Sequence, residues 1–183
     1  AYDYDHSNYY GQITDSLPQT QLDWLAQDLE QTDNPCILLS HAPLYDNGDP
    51  SCFCKNSSEI HEILLRHNRK QGWNQAFLSC NGHTHVDNLV NWDGIHYLEI
   101  NSASNQWLGE EYAVPDPKAA CPDPQDEPYY SCLRTTAPFR DPVYALLTFS
   151  PEKQTVSVQA LPSSFIGPHP KERGHSGYWG DVP

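Results

Sequence analysis

Two short apolar runs constrain this chain most, because each follows a helix-patterned segment and each ends at a histidine. Cys36-Ile37-Leu38-Leu39-Ser40 carries no charge and no alternation, and it stops at His41. Ala76-Phe77-Leu78-Ser79-Cys80 is similar, and Asn81-Gly82-His83-Thr84-His85 follows it. Uniformly apolar runs of this length suit strands buried on both faces, as in a parallel sheet. Residues 17–31 predict a helix: Leu22, Leu25, Ala26 and Leu29 fall on one face at i, i+3, i+4 and i+7. Ser16 reads as its cap, Pro18 suits the first turn, and Gln19 completes a Ser-x-x-Gln capping box. A second helix is predicted from Ser57 or Ser58 to about residue 71, with Ile60, Ile63, Leu64 and His67 on its inward phase.

Beyond the second run the pattern turns antiparallel. Extended stretches at residues 86–90 and 95–100 flank Asn91-Trp92-Asp93-Gly94, and Asp-Gly between such stretches is a strong hairpin signal. A final hairpin is predicted from residues 144–149 and 155–160, across Pro151-Glu152-Lys153-Gln154. Residues 105–142 are proline-rich and hold no period, so they read as a long irregular insertion with a helical turn near Tyr130. Residues 162–183 read as an irregular tail, leaving residues 1–161 as the domain. Helix, strand, helix, strand and then hairpins predict an α/β layered fold with a mixed sheet.

Asp and Glu number 24 against 10 Lys and Arg, a formal charge of −14. Such a surface repels phosphate backbones and anionic lipid, which argues against non-specific nucleic-acid binding and against a membrane partner. No stretch approaches the ~18 consecutive apolar residues of a membrane span. The chain has no Met and starts at Ala1, so it is expected to be a processed product or a piece of a longer protein. Six cysteines in an acidic, proline-rich chain point to an oxidising compartment. A secreted or cell-envelope location is therefore expected, with the cytoplasm as the alternative. Cys36 and Cys80 read as buried thiols, and Cys121 and Cys132 are the disulfide candidates. A zinc knuckle joining Cys52 and Cys54 to those two would match no common spacing.

The chemistry is expected at the strand ends, where ligand sites of open α/β sheets gather. His41 precedes Ala42-Pro43, which turns the chain outward. Gly82 permits a sharp turn before His83 and His85. Neutral imidazole is the commonest metal ligand, so these three residues predict a metal centre. His6, His61, His67, His96, His169 and His175 lack such a context and read as surface or capping residues. Trp92, Trp107, Tyr112 and Trp179 read as core or rim aromatics.

The order Gln21-Leu22-Asp23-Trp24-Leu25, then Ile37-Leu38-Leu39-Ser40-His41-Ala42-Pro43, then Asn81-Gly82-His83-Thr84-His85 resembles the C-terminal part of the calcineurin-like metallophosphoesterase family. The likeness covers roughly residues 11–104. It implies a mixed-sheet sandwich, the C-terminal portion of a four-layer α/β/β/α fold. It implies hydrolysis of phosphoric esters by a parent phosphatase or phosphodiesterase, with a small-molecule or nucleotide-like phosphoester as substrate. The implied cofactor is a pair of divalent or trivalent metal ions (Fe, Mn, Zn or Ni) carrying a bridging hydroxide nucleophile. His41 and His83 would then bind one metal and His85 its partner. Asn101, after the strand that follows the histidine pair, would line the substrate pocket or else cap a turn. The family's Asp-x-His, Gly-Asp-x-x-Asp and Gly-Asn-His-Asp/Glu motifs are missing, so no catalytic acid is assigned and the chain alone is expected to be inactive. Two other readings stand beside this one. One is a non-catalytic secreted binding module with a decayed metal site. The other is an amidohydrolase, which also uses His-x-His but needs eight strand–helix units.

Overall fold

A computed structural model describes residues 16–48, 52–120 and 130–175. The fold is mixed α/β, and its chain divides into two compact units. The first takes in Ala1–His83 and Asn88–Glu99, the second Thr84–Asp87 and Ile100–Pro183. Among the described residues no helix is long and apolar enough to cross a membrane.

In the first unit, α1 (Gln19–Glu30), β1 (Cys36–Leu39), α2 (Ser57–Gln71), β2 (Ala76–Asn81), β3 (Asn88–Trp92) and β4 (Ile95–Glu99) follow in order. The sheet runs β1-β2-β4-β3, with β1, β2 and β4 mutually parallel and β3 antiparallel to β4. Leu22, Leu25 and Leu29 of α1 join Ile60 and Leu64 of α2 in one core with Ala76, Ile95 and Tyr97 of the sheet. The helical spacing of the sequence is thus the spacing that is buried.

The expected capping box at Ser16 does not form. The helix begins at Gln19, with Pro18 at the N-cap and no side-chain cap bond. The Asn56 side chain holds the entry instead, accepting from Leu17 N (2.9 Å) and donating to Leu17 O (3.0 Å). One amide therefore ties the start of α1 to the start of α2. At the far end of α2, Gly72 takes φ +76° and its N–H returns to Asn68 O. This is the left-handed helix stop that glycine adopts without strain.

His61 corrects the sequence reading, because it is buried in this core rather than at the surface. His67 is buried too, against the surface reading of it but in line with its inward phase on α2. His61 stacks on Trp92 at 3.6 Å between ring centroids, and its Nδ1 lies 2.8 Å from the Tyr97 hydroxyl. His67 Nε2 lies 2.9 Å from Gln75 Oε1, while Gln75 Nε2 donates to Thr32 O and Asn34 O. Imidazole is tolerated inside because its nitrogens find partners there. Burial is the first cause that pushes the Tyr97 phenol above its ordinary range. The hairpin at Asp93-Gly94 has φ +51° and +84°, the two left-handed residues of a primed turn.

Only β2 fits the expectation of burial on both faces. Among the described residues β1 is an edge strand of this sheet, with Ile37 and Leu39 both exposed, Leu39 to 80%. A groove of about 290 Å³ runs beside it, lined by Leu17, Trp24, Leu25 and Asp28 of the α1 side and by Ile37 and Leu39.

In the second unit, β5 (Asn105–Trp107) pairs with β6 (Thr136–Pro138), and β7 (Ala145–Ser150) pairs with β8 (Thr155–Ala160). The region read as irregular therefore contains a strand pair, together with short helices at Pro117–Ala120 and Tyr130–Leu133. The second of these is the turn expected near Tyr130. The tail also carries order. His169 caps the turn Pro170–Arg173, as a capping histidine should, and the Arg173 guanidinium donates to the carbonyls of Tyr112, Thr136 and Arg134. Three backbone acceptors on one planar cation tie the tail to the segments around Tyr112 and β6. His96 is exposed, Cys132 is an exposed thiol, and Cys36 and Cys80 are half-buried and buried. His6, Cys121 and Trp179 lie outside the described residues.

Candidate metal-ligating site

The parallel ladder between β1 and β2 continues past both strands. Ser40 N donates to Cys80 O (3.1 Å), and Gly82 N donates to His41 O (3.2 Å). This pairing carries the two strand ends forward side by side. His41 and His83 consequently meet: His83 Nδ1 lies 3.0 Å from His41 Nε2, with the ring planes at 72°. His83 reaches this position with φ +73°, a left-handed conformation that costs a non-glycine residue about 1 kcal/mol or more. Backbone strain of this kind is retained where the surroundings demand one aim for a side chain.

The pair has two chemical uses. One ring can donate its N–H to the other, since a neutral imidazole carries one donor and one acceptor. Alternatively both lone pairs can face one cation. Two nitrogens bound at about 2.0–2.1 Å to a single ion stand roughly 3 Å apart, so the observed spacing fits a shared metal. The residues present therefore suit a metal ligated through neutral nitrogen.

His85 belongs to the second unit. Its backbone is also left-handed, at φ +55°. Its Nδ1 lies 2.9 Å from Asn105 Oδ1, and its ring stands 5.3 Å from that of Trp107. Asn101 directs its backbone N–H and its side-chain amide to the Asp87 carboxylate at 3.1 and 3.2 Å, and its Oδ1 accepts from Ser102 N. Asn101 thus ties the segment after β4 to Asp87 just ahead of β3. Among the described residues, no group of three or more His, Cys, Asp or Glu side chains is gathered as a metal cage.

One feature at the C-terminal ends of the strands was missed in the sequence. Glu99 is buried at the end of β4, in register with Asn81 of β2 and Asn88 of β3. Asn47 Nδ2 stands 3.5 Å from its carboxylate, and Asn88 donates to the Tyr45 hydroxyl at 2.8 Å. Burial, and after it the Glu99 charge, pushes the Tyr45 phenol well above its ordinary range. The signal was present, since Ile95, Tyr97 and Glu99 share the inward phase of one strand and a carboxylate is foreign to such a phase.

No protein-family pattern matches this chain, and no curated protein matches it.

Proposed function

We propose that this chain supplies histidine ligands to the metal centre of a hydrolase acting on phosphoric esters. The close approach of His41 and His83 at the ends of two parallel strands carries the reading. The resemblance of the sequence around them gives the reaction class, and with it the four-layer α/β/β/α arrangement. A bound metal pair would supply Lewis-acid charge to phosphate oxygens and an activated water. The chain's own part is to fix the imidazoles. The β1–β2 ladder sets the separation of His41 and His83, and the strained turn at Gly82-His83 sets the aim of the second ring. An overall charge of −14 disfavours anionic substrates in general, so the substrate must be drawn by the ions themselves.

The test has two arms. Titration of the 183-residue chain with Zn2+ or Mn2+ is expected to show weak binding that His83→Ala abolishes. Hydrolysis of p-nitrophenyl phosphate and bis-p-nitrophenyl phosphate is expected to be undetectable with the chain alone. The full reading frame that encodes the chain should hydrolyse one of them, with at least a hundredfold loss in His41→Ala. Metal-independent binding of some other ligand, with no esterase activity from either protein, would replace this reading with the binding module.

A further inference from the structure

The contacts of His85 go beyond its role as a ligand candidate. Asn105 sits on β5, where its backbone pairs with Pro138, so its side chain projects from a fixed strand. The Asn105 amide has two distinct ends. Nδ2 donates to Ser104 Oγ at 3.1 Å, and Ser104 is itself held through Ser102, by its N–H at 3.2 Å and by its hydroxyl at 3.1 Å. With Nδ2 so engaged, Oδ1 is the end that faces His85, at 2.9 Å from Nδ1. With the amide in this orientation its oxygen only accepts, and Nδ1 carries the imidazole proton. The lone pair then resides on Nε2. Trp107, two residues further along the same strand, stands against the ring at a 58° tilt and limits its rotation.

We propose that Asn105 is a positioning residue for His85, holding the ring in the Nδ1–H tautomer so that Nε2 keeps its lone pair for a metal ion. The metal half of this statement rests on the function proposed above, whereas the tautomer half does not. Histidines that bind metal characteristically donate their other N–H to a fixed acceptor, which sets orientation and raises ligand basicity. Asn105 is such an acceptor, and unlike a carboxylate it brings no charge that would alter the net charge of the centre. The left-handed backbone at His85 fits the same purpose, since a strained residue needs a side-chain tether to keep a single aim.

The experiment uses the whole chain labelled with 15N in its histidines, in mildly alkaline buffer where imidazoles are neutral. Long-range 1H–15N correlation reports which ring nitrogen of His85 carries the proton. Wild type is expected to show the Nδ1–H tautomer alone. Asn105→Ala should release it to a mixture, and Asn105→Asp should restore it, because a carboxylate also accepts. Titration with Zn2+ should then show a ten- to hundredfold loss of affinity in Asn105→Ala. The melting transition of each variant separates this effect from loss of fold, and Asn105→Asp covers the case in which the alanine variant does not fold. An Nε2–H tautomer in wild type, or an unchanged tautomer in a folded Asn105→Ala, overturns the proposal. So does an unchanged Zn2+ affinity in that variant. A chain that keeps the expected tautomer pattern yet binds no Zn2+ overturns the metal reading while the positioning of the ring stands.

Discussion

β1 and β2 are neighbours in one sheet, parallel, joined by hydrogen bonds and almost equally apolar, yet their surroundings differ. Five of the six residues of β2 are buried, and its flanks are β1 and β4. Among the described residues β1 has a strand neighbour on one side only, and it shows Leu39 80% exposed, with Trp24 of α1 exposed near it across the groove. The difference teaches that an apolar run states what a strand is able to bury. What covers it is decided by its place in the strand order, which no local pattern encodes.

Substitution should separate the two strands. Leu78→Ala in β2 is expected to cost about 2–4 kcal/mol, the transfer and cavity penalty of a buried leucine, measured by urea unfolding. Gln75→Ala comes next. It removes the buried amide that holds the Thr32 and Asn34 carbonyls ahead of β1 and leaves His67 without that partner, at about 1–3 kcal/mol. Leu39→Thr in β1 should change stability by less than about 0.5 kcal/mol and should lower binding of a hydrophobic dye. A loss in Leu39→Thr equal to that in Leu78→Ala would break the comparison, since it would mean that β1 is covered in solution.

The same contrast marks what could be read from the sequence. α1, α2, β2 and the Asp93-Gly94 hairpin were legible because each announces itself through a period, an unbroken apolar run or a turn signal within a few residues. The pairing of His41 with His83 was legible in outline, from two strand ends and a glycine. β5 and β6 were not legible. They are three residues long, lie about thirty residues apart, and sit beside Arg173, which reaches the carbonyls of Tyr112, Thr136 and Arg134. No spacing rule joins an arginine to carbonyls that distant in the chain. His61 is harder to read, because polarity suggests exposure although its ring has a polar partner within the core. His67, by contrast, is buried on the inward phase that the spacing of α2 gives it. Asn105 escaped notice for a related reason, as its partner His85 lies twenty residues away with no shared period.

The parallel register of β1 and β2 also has a consequence in time. Cys36 pairs with Ala76, so this ladder closes only after a loop of roughly forty residues has come together. The β3–β4 hairpin closes across two turn residues, and hairpins form in about 1–10 μs. Local pairing should therefore precede the long-range one, and His41 should meet His83 late, when β1 is recruited to the sheet. In a newly made chain β1 would then be the last strand to join the sheet, and its apolar residues stay open to association with other chains while the rest of the unit is already formed.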